Sequence, residues 1–176
     1  MLYLFDNKRP RVGTDSYVSE HALVIGDVLI GDNCYIGHGA ILRGDYGSIT
    51  IGNASAVEEG VVVHAPPRDV CRIGNRVTMG HGAIIHAAQI GDDTVIGMGA
   101  ILSIRSVVSD DSIVAEGSVV TMNQVIPPGV VVGGSPARVL REVTPKDREY
   151  WGAAKTLYVD LAKKYLALGM EEVRNG

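Results

Sequence analysis

The sequence predicts an all-β solenoid, a parallel β-helix of hexapeptide repeats, followed by one C-terminal α-helix. Three observations predict it. Aliphatic residues return every six positions: Val12, Val18, Val24, Ile30, Ile36 and Leu42, then Ile51, Val57 and Val63, then Ile73, Met79 and Ile85, then Ile90, Ile96, Leu102, Val108, Val114, Val120, Ile126 and Val132. Glycine often follows, as in Ile30-Gly31, Ile51-Gly52, Ile73-Gly74 and Ile96-Gly97. Hydrophobic residues make up 46% of the chain but aromatics only 5%, with 22 glycines. That balance fits many short aliphatic strands and tight corners, not one aromatic-filled core. A period of six is neither helical nor a plain two-residue alternation; it fits a short strand plus a corner, stacked.

Three hexapeptides make one triangular coil of about 18 residues. Each coil adds a strand to each of three flat parallel sheets, with neighbouring strands about 4.8 Å apart. The repeating aliphatic residue fills the axis, and glycine permits the corners. The frame slips after Leu42, Val63 and Ile85, which marks insertions or a deletion inside the solenoid. The solenoid is expected to span residues 1–136, ending at Gly133-Gly134-Ser135-Pro136. Residues 137–176 are expected to form a linker and an amphipathic helix. Its start is written in Thr144, Pro145 and Asp147: a hydroxyl N-cap, proline at the first helical position and early negative charge. Trp151, Ala154, Leu157, Tyr158, Leu161, Tyr165 and Leu168 follow a helical stripe, and Gly169 is the expected stop. Open sheet ends need covering, and this C-terminal segment is the candidate for that or for flanking packing, its stripe lying along the solenoid or on a neighbouring subunit.

With 176 residues the chain can form one domain with a sizeable core. A net charge of −4 argues against a nucleic-acid surface, which needs a basic patch. No run of about 18 apolar residues and no leader-like segment occurs, so neither a membrane span nor a signal peptide is expected. Cys34 and Cys71 have no metal-like or redox-like spacing and read as free thiols of a reducing, cytoplasmic compartment.

The candidate chemistry lies between Arg43 and Met98, where three of the five histidines stand: His64, His81 and His86. Counting repeats places Arg43, His64, His86 and Ser103 in one column, because each directly follows its aliphatic residue. His64 and His86 are one coil apart, close enough for both imidazoles to reach one metal ion. His81 stands two places after Met79, in a different column with His38, Glu59 and Met98, and points away from that pair. A single ion held by all three therefore needs a second subunit, and a triangular prism closes naturally as a homotrimer. Three imidazoles with one open position is the arrangement of catalytic zinc sites, where the ion lowers the pKa of bound water to roughly 7. Iron(II) and cobalt(II) also accept imidazole.

These residues resemble the gamma-class carbonic anhydrase-like family. The resemblance rests on Leu42-Arg43-Gly44-Asp45, on His64, on Gly80-His81-Gly82-Ala83-Ile84-Ile85-His86, on Ile96-Gly97-Met98-Gly99-Ala100, and on Val132-Gly133-Gly134-Ser135-Pro136-Ala137. It implies a left-handed β-helix, a homotrimer, zinc held by His64, His81 and His86, and hydration of CO2 to bicarbonate. It also implies that Arg43 and Asp45 form an ion pair at a subunit interface, and that Tyr158 is the C-terminal helix tyrosine near the site.

Two departures stand out. Where the family usually carries Asn-x-Gln-Asp, this chain reads Ala56-Val57-Glu58-Glu59. Glu58 thus replaces an amide and Glu59 an aspartate; either carboxylate could accept a proton as general base. The loop after His64, Ala65-Pro66-Pro67-Arg68-Asp69-Val70-Cys71, lacks the glutamate that serves as a proton shuttle in highly active relatives. The expected function is a metal-dependent gamma-type carbonic anhydrase. The alternatives are a hydrolase of another carbonyl substrate such as an acyl-CoA thioester, a hexapeptide acyltransferase, and a catalytically silent assembly subunit.

Overall fold

A computed structural model describes residues 1–86 and 88–173. The chain winds into a left-handed parallel β-helix of about seven coils and ends in one helix. Every predicted repeat position from Val24 to Val132 is buried along the axis. Val12 and Val18, in the first coil, are covered on one side only and pack against the same core.

The coil has three faces. The first carries Val62–His64, Ile84–His86, Ile101–Leu102 and Val119–Val120. The second carries Val70–Ile73, Gln89–Ile90, Val107–Val108 and Val125–Ile126. The third carries Tyr17–Val18, Tyr35–Ile36, Ala56–Val57, Thr78–Met79, Val95–Ile96 and Ile113–Val114. Two long strands, Leu23–Ile30 and Ile41–Ile51, run unbroken from the first face onto the second and pair at both ends.

The corners differ in chemistry. Between the third and first faces, Gly39, Gly60, Gly82, Gly99 and Gly117 take φ values of 64° to 71°, a conformation open to glycine without penalty. Between the second and third faces, non-glycine residues such as Asn33, Arg76, Asp93 and Asp111 adopt φ of 53° to 56°. There a side-chain ladder supports the turn. Asp32 Oδ1 accepts from Thr14 N at 2.7 Å, Asn53 Oδ1 from Asp32 N at 2.8 Å, Asn75 Oδ1 from Asn53 N at 2.9 Å, and Asp92 Oδ1 from Asn75 N at 2.7 Å. Corner N–H groups that would otherwise lack partners are thereby satisfied. All three frame slips fall at the remaining corner, between the first and second faces, and the register resumes directly after each: Ile51 pairs with Ile73 and Ile73 with Ile90.

Within the segment expected as a linker, Arg138–Glu142 forms a strand that pairs antiparallel with Val130–Gly133 and caps the last coil. The helix then spans Pro145–Leu168, with Thr144 and Asp147 exchanging both bonds of a capping box and Gly169 ending it. It lies on the third face. Tyr158, Leu161 and Tyr165 pack with Ala162 against Tyr17, Tyr35 and Ala56. Leu157 and Leu168, expected in the packed stripe, are instead 60% and 74% exposed. Lys155 takes a buried place on the packed side. Its stem lies against the sheet and its ammonium donates to the Asp93 carbonyl at 2.6 Å. No helix among the described residues is long and apolar enough to cross a membrane.

The outward positions distinguish the three faces. The helix covers the third. On the second, the outward column is mixed: Leu29, Thr50, Arg72, Gln89, Val107, Val125. On the first, it is apolar throughout: Leu23, Ile41, Val62, Ile84, Ile101, Val119. Three of these remain substantially open, Leu23 at 36%, Ile84 at 43% and Ile101 at 37%.

Candidate metal centre

The parallel ladder of the first face sets the histidine column. Arg43 pairs with His64 and His64 with His86 in direct register, and the two imidazoles stack with centroids 5.1 Å apart and planes 17° from parallel. His64 Nε2 is buried and has no hydrogen-bond partner; Asp45 Oδ1, at 3.6 Å, lies just beyond bonding distance. Burial lowers the His64 pKa, and the nearby Arg43 charge and His86 lower it further, against the opposing pull of Asp45. Those influences favour the neutral imidazole, the form that ligates metals. A stacked imidazole pair presenting an orphaned ring nitrogen fits a transition-metal ion.

Arg43 donates to Asp45 Oδ2 at 2.7 Å. The two residues sit two places apart on one strand, so the pair is made within the chain. Asp45 is held below the usual carboxylate range: burial raises it, but the bonds from Arg43 and the Tyr46 backbone N–H outweigh that.

His81 stands on the corner between the third and first faces, flanked by Gly80 and Gly82, with its side chain 49% exposed. Glu59 Oε2 lies 2.9 Å from its Nδ1 and Glu58 Oε2 lies 3.1 Å from its Nε2. The same Glu58 oxygen accepts the His81 backbone N–H at 3.1 Å. Glu58 is buried, at 6% exposure, not a solvated surface carboxylate. Tyr158 reaches it from the helix; burial, then the neighbouring Glu58 carboxylate, pushes the Tyr158 phenol above its usual value. Glu59 accepts the Tyr35 hydroxyl at 2.7 Å. Its carboxyl is held low, because this bond, its own backbone N–H and the His81 and His38 charges outweigh burial.

The structure thus brings Arg43, Asp45, His64 and His86 together on one edge of the first face, and Glu58, Glu59, His81 and Tyr158 together on the opposite edge. It does not bring the three histidines together within one chain. No group of three or more metal-binding side chains converges among the described residues. Tyr35 belongs to the second cluster and went unread in the sequence. Its signal was position: it occupies the slot one coil before Ala56, facing outward beside the Glu58-Glu59 turn.

The hexapeptide repeat of succinyl-transferase matches residues 27–65 and 70–103. A carbonic anhydrase of Geobacillus kaustophilus is 36% identical over 168 residues, covering 96% of this chain and 92% of its own. Gamma carbonic anhydrase 2, mitochondrial, of Arabidopsis thaliana is 37% identical over 169 residues, 93% of this chain; the chain spans 60% of that plant protein's length. Among solved structures, a Bacillus cereus protein described as a candidate acetyltransferase superposes with a TM-score of 0.93 at 29% identity, covering 95% of this chain and 97% of that one. Similarity of this extent, together with the matched repeat, places the chain in the hexapeptide-repeat family of gamma carbonic anhydrase-like proteins.

Proposed function

We propose that the protein is a metal-dependent gamma-type carbonic anhydrase that works as a homotrimer, interconverting CO2 and bicarbonate. One observation carries the reading: the apolar first face bears an imidazole pair on one edge and a lone, braced imidazole on the other. Packing one copy's His64–His86 edge against the next copy's His81 edge covers the apolar column and completes a three-histidine set. A heterologous contact of this kind closes as a ring. Zinc is the metal of choice for such a set, with iron(II) and cobalt(II) as alternatives. Bound there, the ion supplies Lewis acidity that makes water a competent nucleophile near neutral pH.

The chain's own residues do the rest. His64 is kept neutral by burial and by Arg43. Arg43 and Asp45 hold each other at the rim, so neither charge is left bare when the face is covered. Glu58 and Glu59 fix His81, and Tyr158 secures Glu58 from the helix.

Stopped-flow CO2 hydration by trimer loaded in turn with zinc, cobalt and anaerobic iron tests the activity, with His86→Ala as control. Fully metallated trimer that hydrates no CO2 above buffer would sink it. Mixing His81→Ala with His64→Ala chains tests the shared site. Interfaces that receive both intact edges should regain metal, and no recovery after confirmed subunit exchange counts against sharing.

A second reading is acyl transfer or thioester hydrolysis. It is favoured by the likeness to the Bacillus cereus acetyltransferase candidate and by Glu58 standing where the resembled family pattern has an amide. Turnover of acyl-CoA substrates by protein inert toward CO2 would select it.

A further inference from the structure

The second carboxylate on His81 is itself held, and what holds it lies under the helix. Tyr35 is 2% exposed, enclosed by Tyr17, Tyr158 and Tyr165. A buried phenol hydroxyl needs a partner, and among the described residues this one donates to Glu59 Oε1 at 2.7 Å. The other Glu59 oxygen, Oε2, lies 2.9 Å from His81 Nδ1. Gly37 leaves the space this carboxylate needs: a Cβ there would meet Glu59 Oε1 at 2.8 Å. Three groups in line, phenol, carboxylate and imidazole, thus connect the floor of the helix-covered face to a half-exposed ring on a glycine-flanked corner.

We propose that Tyr35 is a positioning residue for His81, acting through Glu59. The inference rests on reading His81 as a metal ligand. A histidine between two glycines has little local packing to choose its rotamer. Glu59 chooses it, provided Glu59 is itself immobile, and the Tyr35 hydroxyl is what immobilises it. A proton on Nδ1 donates to Glu59, while Nε2 lies 3.1 Å from Glu58 Oε2 and is offered to the neighbouring subunit's site once that carboxylate moves off it. Partners of this kind behind a ligand orient the ring and raise its basicity, and their removal typically lowers metal affinity 10- to 100-fold. Glu58 accepts the backbone N–H of the same residue and so holds the corner that carries the ring. The Glu59 brace ends on Tyr35, which packs against Tyr158 and Tyr165 of the helix.

The test is a double-mutant cycle on full-length protein, reading zinc affinity by competition with a chromophoric chelator. Tyr35→Phe keeps the ring and its packing and removes only the hydroxyl. It should weaken zinc binding about tenfold in a chain that still folds to the same structure. Glu59→Gln should weaken it at least as much, and the double variant no more than Glu59→Gln alone. The second readout needs no metal. In metal-free protein the His81 Nδ1–H proton resonance should be protected from exchange, and Tyr35→Phe should abolish that protection. Additive losses, or a Tyr35→Phe variant with unchanged affinity and an unchanged Nδ1–H signal, would overturn the proposal. Should the wild-type chain bind no zinc, the metal reading fails, and the Nδ1–H signal alone still decides whether Tyr35 positions His81.

Discussion

Ile84→Lys is the sharpest perturbation of the proposed assembly. Ile84 sits at the middle of the apolar outward column, 43% exposed in the single chain, with Val62 and Ile101 as its ladder neighbours. Burying an isoleucine side chain completely is worth about 1.5–3 kcal/mol, so covering the open portion contributes about 1 kcal/mol per copy, and about 3 kcal/mol over a three-fold ring. Lysine removes that term. It also places an ammonium where the neighbour would cover it, at several kcal/mol per ion after relaxation. Summed over three contacts, the penalty exceeds what a modest interface supplies, and the variant should sediment as a monomer at micromolar concentration. It should also lose metal, because its His81 no longer meets another chain's His64 and His86. The control is Gln89→Lys on the mixed second face, which should leave mass and metal content unchanged. Sedimentation velocity with metal analysis on the same samples reads both. An Ile84→Lys protein that remains trimeric and fully loaded would show that this face is not the contact.

Other expectations follow from the solenoid itself. Leu102→Ala, at a fully buried axial position, should lower stability by about 2–5 kcal/mol in urea unfolding; a loss below about 1 kcal/mol would mean the axis is not close-packed. Gly97→Ala and Gly99→Ala should differ sharply. A Cβ at Gly97 would meet Glu116 N at 2.5 Å and Ala115 C at 2.8 Å, backbone that cannot yield, whereas at Gly99 nothing lies within 4 Å and the only penalty is its φ of 65°, about 1–2 kcal/mol. Equal melting temperatures for the two variants would contradict this. Burial pushes the Cys71 thiol up to about 12. The native thiol therefore stays protonated and should ignore a disulfide reagent at pH 8 until the chain unfolds. The unfolded chain loses this proton near pH 9.0, so the contribution is constant below that and stability falls from pH 9.0 toward 12. The slope from this one group is about 1.4 kcal/mol per pH unit. Cys71→Ala should flatten that alkaline limb, and an unaltered limb would assign it to other groups.

The register of Arg43, His64 and His86 was legible because hexapeptides, unlike residues, can be counted across insertions: a slip moves the numbering but not the coil. The helix boundaries were legible because Thr144, Pro145, Asp147 and Gly169 act locally. The strand Arg138–Glu142 was not. It is a cap whose reason to form, the open edge at Val130–Gly133, exists only once the coils are stacked. The phase of the helix was half-legible. Apolar residues lie around much of its circumference, and only the docked sheet decides that Lys155 goes in and Leu157 stays out. Glu58 and Glu59 stood out as departures from a family pattern, but their partners did not. Tyr35 lies 24 residues from Glu59, and only the superposition of one coil on the next joins them.

The corner between the first and second faces has a consequence for how such proteins diversify. The path from one axial aliphatic to the next takes nine residues from Leu42 to Ile51, ten from Val63 to Ile73 and five from Ile85 to Ile90. The extra chain is not slack. Gly47 N donates to Ala65 O and Ser48 N to Asp69 O, so successive loops lie on one another much as the strands do. Length can therefore be gained or lost here without altering the pitch of any coil, while the corner between the second and third faces is held by the side-chain ladder. His64 and His86 sit at the threshold of this one adjustable corner. The chain bordering the imidazole pair can change in length and charge by insertion or deletion while the pair keeps its place, a division between a fixed frame and a freely edited border.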